Sequence, residues 1–460
     1  MTSLRAAAIV FVVSLAAYCF MLGDAPLAGT EGHRALTAHQ MVQSGHWLLP
    51  RLYGQLYLKK PPLAYWMIAL SETIFGRANE WVWRFPSAFF SAVLAAALCL
   101  FSDNWFGRPA GIVAGFANLA LVATWAQNRS ADIDAMNSAA AVLAACGLIH
   151  LQAGPVKHRA LTIILTGLAV GAALMIKGPE GMTVIGGAIF APWIVQRKWN
   201  WVSLVPLAIG LCCFGAYAAA AYHQIRAEHL PLDLSGFAEA EQKATPSVSR
   251  LLWMVMLTPT LFVFALPVSL VIPFAWNDRR PRARCLLYCV ALAVIFAFCS
   301  GMTNPRYAYV ILPMLCPLVG AVMSEEQARK WVPAAAAMAV AGMIPFAIFN
   351  NRQLERKSGH DAGEIMRDYV SRGTTVVCGV TLWDQPEIFY YGHVNVEYGL
   401  EHATGGDWLV LKGQENNLYA GAAGRDYGKP IVLWAGPDKD ICLIRKKRSA
   451  DGNARGSSRP

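Results

Sequence analysis

Eleven long runs of mostly apolar residues recur along this chain, near 6–22, 85–106, 109–127, 133–152, 160–176, 181–196, 203–222, 251–275, 284–300, 308–323 and 331–349. A helix rises about 1.5 Å per residue, so roughly 20 such residues cross the hydrocarbon of a bilayer. A water-soluble core has no room for that many, and the composition agrees: 56% hydrophobic, 15% charged, mean hydropathy +0.38. The reading is an α-helical polytopic membrane protein with about eleven transmembrane helices. Neither low complexity, a heptad pattern nor an internal repeat is visible, which sets aside disordered, fibrous and solenoid classes. The opening run follows Arg5 like a signal peptide, but no small-residue cleavage site follows it, so it reads as a retained helix.

The formal charge of +10 is no nucleic-acid signal, because the cations sit in short clusters between apolar runs. Lys157–Arg159, Arg197–Lys198, Arg279–Arg284 and Arg329–Lys330 occupy alternate connections, which marks those connections as cytoplasmic. The segments 23–84, 128–134, 177–180, 223–250 and 301–307, and everything after about 350, then face outward. Two domains follow: a transmembrane part over 1–350, with 23–84 as its first outer loop, and a C-terminal part over 351–460.

In the first loop, Pro62–Phe75 is apolar but too short to span, and reads as an interfacial helix. Trp47, Tyr53, Tyr57, Tyr65, Trp66, Trp81 and Trp83 suit an aromatic belt around it. Beyond Asn351 a helical pattern (Ala362–Val370) precedes strand-like runs at 375–380, 408–411, 431–434 and 441–444, which predicts a small soluble α/β domain with a disordered tail. Nine of eleven cysteines lie in apolar runs as packing residues, whereas Cys378 and Cys442 lie in the outward strands, where an oxidising compartment permits a disulfide.

Ionisable side chains beside membrane spans are expensive and therefore informative. Glu31, Lys59, Lys60, Arg84, Arg129, Asp132, Asp134, Lys177, Glu180 and Arg306 all fall on the outward face. A pump would instead place acidic residues or broken helices near the midplane, in matched halves. Carboxylates and cations gathered at one face suit transfer from a lipid phosphate to a hydroxyl: the cations neutralise the leaving phosphate and a carboxylate takes the proton. No Gly-rich phosphate loop, Cys-x-x-Cys pair or His-Glu-x-x-His is present, so neither cofactor nor metal is expected.

The run from Gly29 to Met41, followed by Ser44–Arg51, Tyr57–Pro62 and Tyr65-Trp66, resembles the first outer loop of bacterial GT-C glycosyltransferases. These are relatives of the protein O-mannosyltransferases and the lipid A aminoarabinose transferase (ArnT-like). Arg129–Asp134, Lys177–Pro179 and Pro305–Pro313 resemble that family's later turns. The resemblance implies an inner-membrane enzyme that takes a sugar from a polyprenyl-phosphate donor and passes it, with inversion, to lipid A, protein or another envelope glycan. It assigns Glu31 as catalytic base or acceptor orienter and gives a catalytic place to Asp134 and its neighbour Asp132. Where the family often shows Asp-Glu, this chain has Thr30-Glu31, and where it often has a second loop carboxylate this chain has Lys59. Lys60, Lys177 and Arg306 are expected around the phosphate, with His33, Arg34, Tyr57 and Tyr309 completing the substrate-binding set. Rival readings are a flippase of lipid-linked sugars and a non-catalytic assembly protein. Plainer roles also stand beside these: capping for Asp132 and Asp134, snorkelling for Lys177, packing for His33.

Overall fold

The computed structural model describes residues 2–154, 156–230, 255–256, 259–300, 305–379, 385–412, 427, 429–434 and 441–447. The helices are α1 (Ser3–Cys19), α2 (Thr30–Ser44), α3 (Leu63–Phe75), α4 (Glu80–Phe106), α5 (Arg108–Leu119), α6 (Trp125–Asn128), α7 (Asp134–Ala153), α8 (Arg159–Lys177), α9 (Met182–Gln196), α10 (Leu204–Ala227), α11 (Ile272–Asn277), α12 (Pro281–Cys299), α13 (Cys316–Val322), α14 (Glu325–Lys357), α15 (His360–Arg367) and α16 (Glu387–Tyr391). Local chemistry sets their starts. Asn79 accepts the Val82 amide at 3.0 Å ahead of α4, and Ser324 with Gln327 forms a capping box on α14.

Among the described residues, six helical stretches are long and apolar enough to cross a membrane, or seven if the bent pair Arg108–Leu119 and Val122–Asn128 counts as one. The protein is therefore a multi-pass membrane protein. One of the six, Arg159–Gln196, is two antiparallel passes. Its Lys177 meets Asp134 at the start of α7, whereas Ala188 accepts from Gln152 near the end of α7, so the chain reverses at Gly178–Gly181. The expected eleven is not reached among the described residues. α1 has 17 residues, 305–322 is broken into short 3-10 and α segments, and in the expected span 251–275 residues 251–254 and 257–258 lie outside the described residues while Val268–Asn277 divides into a 3-10 turn and the short α11.

The two ends of the bundle differ in charge. At one end Arg282 donates to the Trp105 carbonyl at 2.9 Å and Trp105 pairs with His150 at 3.1 Å, close to the basic connections. The other end carries the first loop, the turn before α7 and the α8–α9 reversal. Between them, Ala139, Ala140, Ala141, Ala144 and Ala145 line α7, and small side chains let its neighbours approach closely.

The predicted interfacial helix is α3, which leaves Leu70 and Ile74 exposed and buries Tyr65, Ile68 and Ala69. The aromatic belt needs correcting: Tyr57, Tyr65 and Trp83 are buried in protein, because Arg34 and Glu72 take their polar atoms. Asn128, in a glycosylation-like triplet, is also buried and donates to Thr124 at 3.1 Å.

The C-terminal sheet has the order β4–β3–β5–β7–β6, from β3 (Thr375–Cys378), β4 (Asn395–Tyr398), β5 (Trp408–Lys412), β6 (Ile431–Trp434) and β7 (Ile441–Arg445), while β1 (Arg51–Leu52) and β2 (Gln55–Leu56) form a separate hairpin. β3 runs parallel to β4 and β5, and β7 antiparallel to β5 and β6. Met366 of α15 and Ile388 and Phe389 of α16 pack on Val376, Val410, Leu433 and Leu443. The predicted Cys378–Cys442 disulfide is not formed. β5 lies between their strands, which sets them roughly two spacings of about 4.8 Å apart, beyond the reach of a disulfide. The tail from 448 onward lies outside the described residues.

Candidate functional site

The site grows from one buried ion pair. Arg84, in the first turns of α4 and 1% exposed, donates its Nε and a terminal nitrogen to Glu31 at 2.9 and 2.8 Å. Its remaining donors take the carbonyls of Leu22, Ala25 and Pro26 at 2.7–3.0 Å, so the strand leaving α1 is tied to α4. Arg129 does the same for the end of α1 itself, donating to the Tyr18 carbonyl at 2.9 Å. Glu31 also accepts the amides of Ala131 at 2.8 Å and Ala28 at 3.3 Å. Its two oxygens thus serve four donors. Gly29, at φ +59, makes the turn that points Glu31 inward, a conformation other L residues rarely adopt.

One turn away lies a second, larger cluster. Arg306 bridges Asp132 and Asp134, and the Thr30 hydroxyl donates to the same Asp132 oxygen that Arg306 reaches. The other Asp132 oxygen accepts the Ile133 amide at 2.7 Å and faces Arg34 Nε at 3.6 Å, an ion pair without a hydrogen bond. Lys177 joins Asp134 at 2.5 Å to Glu180 at 2.6 Å. Gly178, at φ +72, turns the chain directly after Lys177 and aims the ammonium back at α7. Asp132, Asp134 and Lys177 are buried, whereas Arg306 keeps 34% of its side chain exposed. Arg306 is the most accessible of the ion-paired side chains in this cluster.

On the loop side, Arg34 donates to the hydroxyls of Tyr57 and Tyr65, both at 2.9 Å, and His33 stacks on Tyr57 with ring centroids 5.7 Å apart. Lys60 lies half-buried within electrostatic reach of Lys177, Glu180, Arg34 and Asp134, with no hydrogen bond or ion pair to a described residue. Tyr309 stacks on Phe264 at 6.2 Å and borders, with Asp134, Ser138 and Asn118, a cavity of about 10 Å³, room for one water. The whole predicted set is therefore gathered at one end of the bundle.

Electrostatics separate the members. Burial acts to raise the Asp132 pKa, but Arg34, Arg306, the Thr30 hydroxyl and the Ile133 amide outweigh it and hold the carboxyl well below the usual range. Burial and then the like charge of Lys177 lower Lys60 from its ordinary value. Three carboxylates (Asp132, Asp134, Glu180) face four cations (Arg34, Lys60, Lys177, Arg306), which leaves one positive charge over. An anion completes that balance.

Arg84 and Glu180 stand out in the sequence only as ionisable residues near span ends, and Thr30 carries no signal beyond its place before Glu31. Their roles come from partners 53, 3 and 102 residues away. The long separations explain why spacing alone says nothing about Thr30 or Arg84.

Residues 59–221 match the family model of dolichyl-phosphate-mannose-protein mannosyltransferase. The undecaprenyl phosphate-alpha-4-amino-4-deoxy-L-arabinose arabinosyl transferase of Enterobacter sp. (strain 638) is 28% identical over 338 residues, 68% of this chain and 57% of that protein. The protein of the same name from Yersinia enterocolitica is 29% identical over 310 residues, 63% of this chain and 53% of that one. The chain thus spans a little over half the length of these relatives. In three dimensions it superimposes on ArnT from Cupriavidus metallidurans, apo and bound to undecaprenyl phosphate, with TM-scores of 0.75 and 0.76 over 95% of this chain and 97% of that one. At 16% identity this is a likeness of fold. The chain accordingly shares the fold of ArnT and is similar in sequence, over residues 59–221, to the dolichyl-phosphate-mannose-protein mannosyltransferase family.

Proposed function

We propose that this protein is an integral membrane glycosyltransferase that moves a sugar from a polyprenyl-phosphate carrier to an envelope acceptor at the outer face of the bacterial cytoplasmic membrane. The observation that carries the reading is the cation-rich, carboxylate-containing cluster at one end of a multi-pass bundle. The names of its relatives give the donor class, a sugar on undecaprenyl phosphate.

The reaction is a single displacement with inversion. The acceptor hydroxyl attacks the anomeric carbon, the carbon–oxygen bond to phosphate breaks, and the carrier phosphate leaves with the electron pair. Lys60, Lys177 and Arg306 neutralise that phosphate as its charge grows. Asp132 is the base in this reading. The exposed Thr30 hydroxyl already donates to it, in the manner an acceptor hydroxyl would. In the resting site Arg306 weakens Asp132 as a base, and donor phosphate, by drawing Arg306 away, restores its proton affinity when a substrate is present. Asp134 orients Lys177 and Arg306. Glu31, with both oxygens engaged, is an orienting buttress.

In cells, deleting the gene should remove one sugar-bearing envelope lipid or protein from the mass spectrum. Wild type should restore it and Asp132→Asn should not. An unchanged glycan profile in the deletion strain would overturn the reading.

Two further outcomes follow from the same cluster. Because burial and Lys177 lower the Lys60 pKa, its charge is present below that value and lost as pH rises through it. Donor KM should therefore climb on the alkaline side, and Lys60→Ala should raise KM at lower pH while flattening that climb; a KM insensitive to both changes would remove Lys60 from the phosphate site. The outward placing of 23–84 and of the C-terminal sheet is tested by cysteines placed at the exposed Ser44 and Gly405. An impermeant thiol reagent should label both in intact cells whose outer membrane is permeabilised, and labelling that needs cytoplasmic-membrane lysis would reverse the topology.

A further inference from the structure

The backbone that leads into the site is gripped from two sides. Arg84 holds the carbonyls of Leu22, Ala25 and Pro26 from within the bundle. From the C-terminal side, the Tyr391 hydroxyl of α16 accepts the Leu27 amide at 2.7 Å and donates to Glu80, the first residue of α4, at 2.8 Å. Ser358, just past α14, donates to the Leu27 carbonyl at 2.5 Å. Both polar groups of a fully buried peptide residue are therefore satisfied from beyond residue 350. The contact continues on α2 and on the β1–β2 hairpin: a Cβ on Gly32 would lie 2.7 Å from a Glu387 oxygen, and Tyr53, in the hairpin turn, donates to the Pro386 carbonyl at 2.8 Å.

Leu27 is one residue from Ala28, whose amide binds Glu31. Glu31 binds the Ala131 amide, and Ala131 precedes Asp132. A path of hydrogen bonds and adjoining peptide links thus runs from the C-terminal sheet unit to the carboxylate cluster.

We propose that Tyr391 is a positioning residue for sugar transfer: through its hydroxyl the C-terminal unit fixes the Leu27 backbone, and with it Glu31 and the turn bearing Asp132. The inference rests on the transferase reading and adds a role for the C-terminal unit in turnover. The phosphate-binding cations lie on other segments, so loosening Leu27 leaves donor capture intact while spoiling alignment of base and acceptor, where small misplacements are costly.

The test uses the full chain in lipid nanodiscs. Tyr391→Phe keeps the ring and removes the hydroxyl; Tyr390→Phe is the control. Tyr391→Phe should lower kcat about 10- to 100-fold with donor KM within twofold of wild type, and hydrogen exchange should quicken in the peptide containing Leu27. Ser358→Ala, which removes the second tie, should move both readouts in the same direction and serves if Tyr391→Phe does not accumulate. A kcat within twofold of wild type in both variants overturns the proposal, as does a fall in kcat matched by the loss of folded protein. Absence of transfer by wild type itself counts against the transferase reading, and unchanged exchange at Leu27 then still refutes the tie.

Discussion

Asp132→Asn is expected to leave the protein folded and to lower kcat by about 10²–10⁴-fold, the usual worth of a general base. The amide oxygen can still accept from the Ile133 amide, and the substitution removes the charge that Arg306 and Arg34 share. Donor KM should change little, because Lys60, Lys177 and the retained Arg306 keep the phosphate. Glu31→Gln provides the contrast. Its oxygens serve four donors, and an amide nitrogen in that pocket would face an N–H where an acceptor is needed. Its main expected effect is lower stability, with turnover falling through misplacement. If purified, folded Glu31→Gln loses more kcat than Asp132→Asn, the base belongs to Glu31, as the first-loop resemblance implies.

Arg84→Met should be the most damaging single change to the fold. Removing one member of a buried ion pair generally costs about 3–5 kcal/mol, because the partner's charge stays buried and uncompensated. Here three backbone carbonyls lose their donor as well. Against a typical net stability of about 5–15 kcal/mol, that loss should show as a sharp drop in purified yield and in thermal midpoint in detergent. The double change Arg84→Met with Glu31→Gln should recover part of the loss, since it removes the orphaned charge. A melting curve for Arg84→Met that overlays wild type would show that the pair contributes little.

The elements most legible in the sequence were those with a strong period or a strong end signal. The apolar runs near 85–106, 133–152 and 284–300 became α4, α7 and α12, and the interfacial helix became α3 with nearly the expected ends. Four strands of the C-terminal sheet, β3, β5, β6 and β7, follow from short apolar runs between turn residues, but β4, Asn-Val-Glu-Tyr, gives only a weak alternation. Among the described residues the run expected near 308–323 is not one long helix: Pro313 and Pro317 stand at the starts of short segments there. The disulfide expectation failed because strand order cannot be read from strand content; the crossover that inserts β5 between β3 and β7 is a long-range choice. For the site, residue type and side of the membrane brought out Lys60, Asp132, Asp134, Lys177 and Arg306, whereas saturation of Glu31 by Arg84 and two amides depended on contacts across 53 and 100 residues.

The central claim is that the carboxylate–cation cluster breaks the bond between a sugar and a carrier phosphate. Purified protein in nanodiscs, given a synthetic undecaprenyl-phosphate sugar labelled on the sugar and an envelope lipid extract as acceptor, tests it most directly. The expected result is acceptor-dependent release of free undecaprenyl phosphate in equal amount to the label transferred, with inverted anomeric configuration, and its loss in Asp132→Asn. Recovery of intact donor, or its movement between leaflets with no bond broken, would contradict the account and leave a carrier of lipid-linked sugars in its place.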